Sequence, residues 1–135
     1  MERQKKVLDA SVMVKWFAEE TDTDKAVHIK EAHQNREFLI VVPSLAFAEV
    51  LNSLQYKKNN EKMLSETNKA LWEMQFEVVE VTETLLGNAM VIAQQYHLTV
   101  YDALYAAVAQ LHGAPLITAD VPLSKVPNSI LLEKM

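Results

Sequence analysis

Four acidic residues are placed where apolar segments end or begin: Asp9, Glu49, Asp102 and Asp120. Asp9 follows Lys5-Lys6-Val7-Leu8, and Asp120 follows Leu116-Ile117-Thr118-Ala119. Glu49 interrupts an apolar face made by Ala46, Phe47, Ala48, Val50 and Leu51, and Asp102 opens an almost wholly apolar stretch that runs to Leu111. Carboxylates gathered in a partly dry site repel one another, and some take up protons unless cations are present. Hard divalent ions such as Mg2+ and Mn2+ supply that compensation because they prefer oxygen ligands. One or two such ions, bridged by a substrate phosphate, stabilise the attacking and leaving oxygens of an in-line displacement. The four histidines (His28, His33, His97, His112) show no metal-ligand spacing and there is no cysteine, so carboxylates are the metal ligands on offer.

The surrounding pattern indicates how these acids are positioned. Residues 5–9 read as a short first strand, and 11–17 as a helix with Val12, Met13, Trp16 and Phe17 at helical spacing. A second helix is expected over 24–34. Phe38-Leu39-Ile40-Val41-Val42, ended by Pro43, reads as a strand covered on both faces. Ser44 suits the cap of a helix carrying Glu49 towards residues 57–60, and another helix follows over about 61–74. Residues 77–81 make a third strand, and Thr82 caps a helix to about Tyr96. Thr99 caps the next helix, Val100 to His112, with Gly113 at its stop. Residues 115–118 form a fourth strand and 129–132 a candidate fifth. Strands alternating with helices imply a parallel sheet with helices on both faces, a three-layer α/β/α domain. Ligands of such sheets bind outside the carboxyl ends of the strands. Asp9 and Asp120 belong at that edge, and Glu49 comes there on a helix that starts at it. No strand precedes the helix of Asp102.

Each acid has a plainer alternative. Asp9 suits a cap for the helix near Ser11. Thr99-Val100-Tyr101-Asp102 fits a capping box, and Asp120 suits an ordinary post-strand turn. Glu49 is harder to dismiss, because an unpaired buried carboxylate is costly. The chain has the size of one domain, with two glycines, four prolines and no repeat to mark a linker, so residues 1–135 are expected to form a single domain. No stretch approaches the roughly 18 apolar residues that cross a bilayer, and with no cysteine a cytoplasmic location is expected. A net charge of −5 argues against a simple nucleic-acid-binding module and suits a site that concentrates carboxylates.

Val7-Leu8-Asp9-Ala10-Ser11, Glu49-Val50-Leu51-Asn52-Ser53-Leu54, Tyr101-Asp102-Ala103-Leu104-Tyr105-Ala106-Ala107 and Pro115-Leu116-Ile117-Thr118-Ala119-Asp120 together resemble the successive motifs of VapC-like PIN domains, in order and spacing. The resemblance implies a PIN-like fold with a central five-stranded parallel sheet and Mg2+- or Mn2+-dependent RNA hydrolysis. It also implies homodimerisation, with a tetramer as the larger alternative, and a type II toxin held by a cognate antitoxin. Carried over by position, Asp9, Glu49, Asp102 and Asp120 match the acidic quartet, with Asp9, Asp102 and either Glu49 or Asp120 around the first ion. Ser11 and Thr118 match the supporting hydroxyl positions, and Asn52 the polar residue one turn after the glutamate. The pattern departs at Val121-Pro122, where polar or basic residues are expected.

For RNA contacts the sequence offers Lys15 and Trp16 beyond Ser11, and the basic cluster Lys57, Lys58 and Lys62. Two rivals differ in class. A phosphotransfer receiver needs an adjacent acidic pair after the first strand and a lysine at the end of the last one, but Asp9 has no acidic neighbour and Pro127 to Leu132 contains no lysine. A catalytically inactive PIN-like module that binds RNA or protein would lack a quartet acid, and all four are present.

Overall fold

The computed structural model describes residues 3–57 and 60–135. Five strands, β1 (Gln4–Leu8), β2 (Phe38–Pro43), β3 (Glu77–Val79), β4 (Leu116–Thr118) and β5 (Ser129–Leu131), form one sheet in the order β3-β2-β1-β4-β5. Every pairing is parallel, with Val7 opposite Val41 and Leu8 opposite Ile117. The β-branched run of β2 is an interior strand with nearly all of its residues buried, whereas the central strand β1 becomes buried only at Val7 and Leu8. Pro43 does not precede the end of β2 but forms it, since a last residue can do without a ladder donor.

Among the described residues six α-helices flank the sheet: α1 (Ala10–Met13), α2 (Thr23–Gln34), α3 (Leu45–Lys57), α4 (Glu61–Glu73), α5 (Glu83–Tyr96) and α6 (Val100–His112). α1 tightens into a 3-10 turn over Val14–Trp16 rather than running on as one helix. α6 packs on β1, β2 and β4 with α5 against it, while α1 contacts α3 and α3 contacts α4. Residues Ala103 to Ala109 of α6 are all buried, which is why this helix is apolar all round. Its start is held by the Thr99 hydroxyl, which accepts from the Asp102 N–H at 3.0 Å, and its end turns through Gly113 at φ +58°.

The chain builds β1, β2 and β3 outward, then returns to lay β4 on the other side of β1. The strand order therefore reverses between β1 and β4, and the crevice at such a point is where open parallel sheets bind ligands. Asp9 and Asp120 are the acids that follow those two strands.

Candidate active site

Asp9 leaves β1 at the point of reversal, with its N–H donating to the Ile117 carbonyl at 3.3 Å. Its backbone occupies the cap position of α1, but its side chain does not cap that helix. The carboxylate, on a residue only 4% exposed, instead receives two hydroxyls: Ser11 Oγ donates to Oδ1 at 2.6 Å and Thr118 Oγ1 to Oδ2 at 2.8 Å. Each hydroxyl also accepts a backbone N–H, Ser11 from Ala119 at 3.0 Å and Thr118 from Asp120 at 2.9 Å. This lattice ties the end of β1 to the end of β4 and aims one carboxylate. Burial pushes the Asp9 carboxyl up from its ordinary 3.8 to about 7; the two hydroxyls pull it down and the charges of Asp102 and Asp120 push it up further.

Glu49 projects from α3, and Tyr105 of α6 donates its hydroxyl to Oε1 at 2.5 Å. Burial raises the Glu49 carboxyl, the tyrosine hydroxyl lowers it and the charge of Asp102 raises it. Asp102 is raised by its own burial and by the charge of Asp120, and lowered by a hydrogen bond with the Thr99 hydroxyl. Asp102 thus takes part in the capping contacts while its charge reaches Asp9 and Glu49. Asp120 does serve as a turn residue, accepting the Leu123 N–H on Oδ2 at 3.2 Å, and its charge also reaches Asp9 and Asp102. Among the described residues none of the four acids is paired with a lysine or arginine. No three of the described acids and histidines stand close enough, as placed, to enclose one ion.

Residues 6–128 match the model of the PIN domain. The chain belongs to the PIN-domain family. Ribonuclease VapC3 of Pyrobaculum aerophilum is 30% identical over 128 residues, covering 90% of this chain and 93% of that protein. A crystal structure of a protein from the same organism superposes with a TM-score of 0.73 at 26% identity, over 97% of this chain and 85% of the other. A toxin-antitoxin complex from Klebsiella pneumoniae gives a TM-score of 0.71 at 18% identity, over 93% and 96% of the two chains. These relatives place the chain among VapC-like PIN ribonucleases, and the parallel five-stranded sheet agrees with that family's fold.

Within this PIN domain a cleft of about 590 Å³ opens beside the acids, lined by Ser11, Lys15, Glu49, Asn52 and Lys57 among others. Trp16, which could have flanked it or served as a core or interface aromatic, turns inward: its Nε1 donates to the Ala26 carbonyl at 2.8 Å and its ring packs near Phe17 and Phe76. Lys62 does not line the cleft, and Lys58 lies outside the described residues. Tyr105 escaped the sequence reading although it stands inside one of the recognised motifs. Its signal was a hydroxyl inside the apolar run of that helix, one turn after Asp102.

The donor chemistry fits a hard divalent ion. Carboxylates and hydroxyls meet around Asp9 without thiol or imidazole, and burial, with the charges of Asp102 and Asp120, keeps the Asp9 carboxyl protonated until near neutrality. A Mg2+ ion keeps several waters and is commonly bound through one or two carboxylates, so it does not require three converging acids.

Thr118→Val keeps the buried shape but removes a donor from Asp9 and an acceptor from the Asp120 N–H. A loss of about 1–3 kcal/mol in unfolding free energy is expected, because the buried Asp9 carboxyl and the part-buried Asp120 N–H lose partners at once. Urea melts of the metal-free protein check this.

Proposed function

We propose that this PIN domain, taken as residues 1–135, is a Mg2+- or Mn2+-dependent ribonuclease whose quartet is Asp9, Glu49, Asp102 and Asp120. The supporting observation is the Asp9 carboxylate, buried at the strand-order reversal, aimed by two hydroxyls and left without a basic partner. A bound divalent ion would lower the pKa of water and neutralise charge on the scissile phosphate. Asp9, Asp102 and either Glu49 or Asp120 would hold it. Ser11 and Thr118 fix the orientation of Asp9, so that its remaining lone pairs face a ligand without rearrangement. Tyr105 stays neutral, since burial and Glu49 raise it, and its hydroxyl donates a hydrogen bond to Glu49 that positions that carboxyl and offsets part of the rise that burial causes. The buried wall formed by α6 excludes water from one side of the group.

The same proposal assigns the chain as the toxin of a type II pair, with a cognate antitoxin as partner. It rests on the VapC relative and on the toxin-antitoxin complex that shares the fold. A second copy is assigned to the apolar surface around Leu86, Val100 and Tyr101, all exposed. No helix of the described residues is long and apolar enough to cross a membrane, and a cytoplasmic location completes the reading.

The test is fragment analysis of single-stranded RNA incubated with the folded protein and Mg2+ or Mn2+. New fragments are expected; intact RNA beside a normally melting protein would overturn the reading and favour the inactive binding module. Tyr105→Phe should slow cleavage by about tenfold, as loss of a supporting hydrogen bond at a metal site commonly does. It also removes the bond that lowers Glu49, so the acid limb of the pH–rate profile should move to higher pH.

A further inference from the structure

The cleft carries two carboxylates, Glu20 and Glu49, in its lining, yet its substrate under the reading above is a polyanion. Its lining includes two cations from separate elements: Lys15 on the turn after α1, and Lys57 at the end of α3. Both reach one carboxylate. Glu20 pairs with Lys15 Nζ through Oε1 at 3.4 Å and with Lys57 Nζ through Oε2. The Lys15 ammonium also donates to the Thr21 carbonyl at 2.7 Å, and its side chain is only 10% exposed. The Glu20 N–H donates to the Thr23 hydroxyl at 2.8 Å, so the backbone is held and the carboxylate alone must turn to leave. Lys57 stays accessible at 42%.

We infer that Lys57, with Lys15 behind it, is a phosphate subsite of the cleft, and that Glu20 fills it until an RNA phosphodiester displaces its carboxylate. The inference rests on the ribonuclease reading. A carboxylate between two ammonium groups has the charge and acceptor oxygens that a phosphate would bring to the same place. Glu20 competes with RNA for Lys57 and therefore sets affinity, while the quartet sets chemistry. The cost of displacement is that of a partly exposed ion pair, small enough for RNA to overcome.

The test is anisotropy of a labelled single-stranded RNA in excess chelator, read across a KCl series. Glu20→Gln should bind about two- to fivefold tighter, the range an exposed ion pair commands. In metal it should lower KM with kcat nearly unchanged. Lys57→Met, at an exposed position, should bind more weakly by a similar factor and reduce the salt slope by about one. Glu20→Gln should then give no gain in the Lys57→Met background. Equal or weaker binding by Glu20→Gln with an unchanged melt would overturn the inference, as would indifference to Lys57→Met. Binding with the expected responses but no cleavage in any metal would support the subsite and overturn the ribonuclease reading. Full cleavage with binding blind to both variants would overturn the subsite alone.

Discussion

Asp9→Asn is expected to lower RNA cleavage by a factor on the order of 10³ or more while leaving a cooperative melt. Asparagine keeps the shape of the side chain but cannot carry the charge that would hold a divalent ion. It also presents an N–H2 where only acceptors are wanted: Ser11 and Thr118 both donate to Asp9, so one hydroxyl must turn away. The backbone around the position is unaffected, because the Asp9 N–H still reaches Ile117 and its carbonyl still accepts from Val12 and Met13. The variant is thus a test of chemistry with the fold preserved. Cleavage rates and melts on one preparation check it, and near-normal cleavage would remove Asp9 from the mechanism.

The metal-free protein is expected to lose stability as pH rises from about 4 to about 7, through Asp9. Its carboxyl is raised from 3.8 to about 7 in the folded chain, so the folded state binds the proton more tightly than the unfolded one does. The stabilisation is complete below the unfolded value, declines through this window at up to roughly 1.4 kcal/mol per pH unit, and is gone above the folded value. Glu49 and Asp102 are raised as well and act in the same direction. Since other carboxylates of the chain are in ion pairs, the wild-type curve minus that of Asp9→Asn isolates the effect. Mg2+ should raise the wild-type melting temperature at pH 8 and have little effect near pH 5, where protons compete for the same carboxylate. Identical Mg2+ responses at both pH values, or in Asp9→Asn, would contradict this.

Much of this arrangement was legible in the sequence because it is carried by local pattern. The β-branched run at 38–42, the Thr82 and Thr99 caps and the Gly113 stop each mark an element through short-range physics. Asp9 and Asp120 could be placed on one edge because parallel strands share a carboxyl end. The lateral order of the strands was not legible: pattern identifies strands, but which neighbours which depends on long-range packing. The chain returning to set β4 beside β1 makes Thr118 a partner of Asp9 across 109 residues. The bond from Tyr105 to Glu49 has the same character, joining helices 56 residues apart. Asp102 lacks the preceding strand that would have placed it; the structure fixes it in the first turn of α6, capped by Thr99, where its charge acts on Asp9 and Glu49. Glu20 escaped notice because it sits in the loop between α1 and α2, where Asp22 at φ +64° redirects the chain and no periodicity announces a contact with Lys57.

On the proposed function, these acids cut RNA only with a divalent ion among them. The most direct test is the cleavage rate of one single-stranded RNA by the same sample in chelator, then after Mg2+ or Mn2+ is restored in excess. No cleavage followed by full recovery, with Asp9→Asn silent throughout, is the predicted result. Steady cleavage in chelator, or recovery equal in wild type and Asp9→Asn, would contradict it.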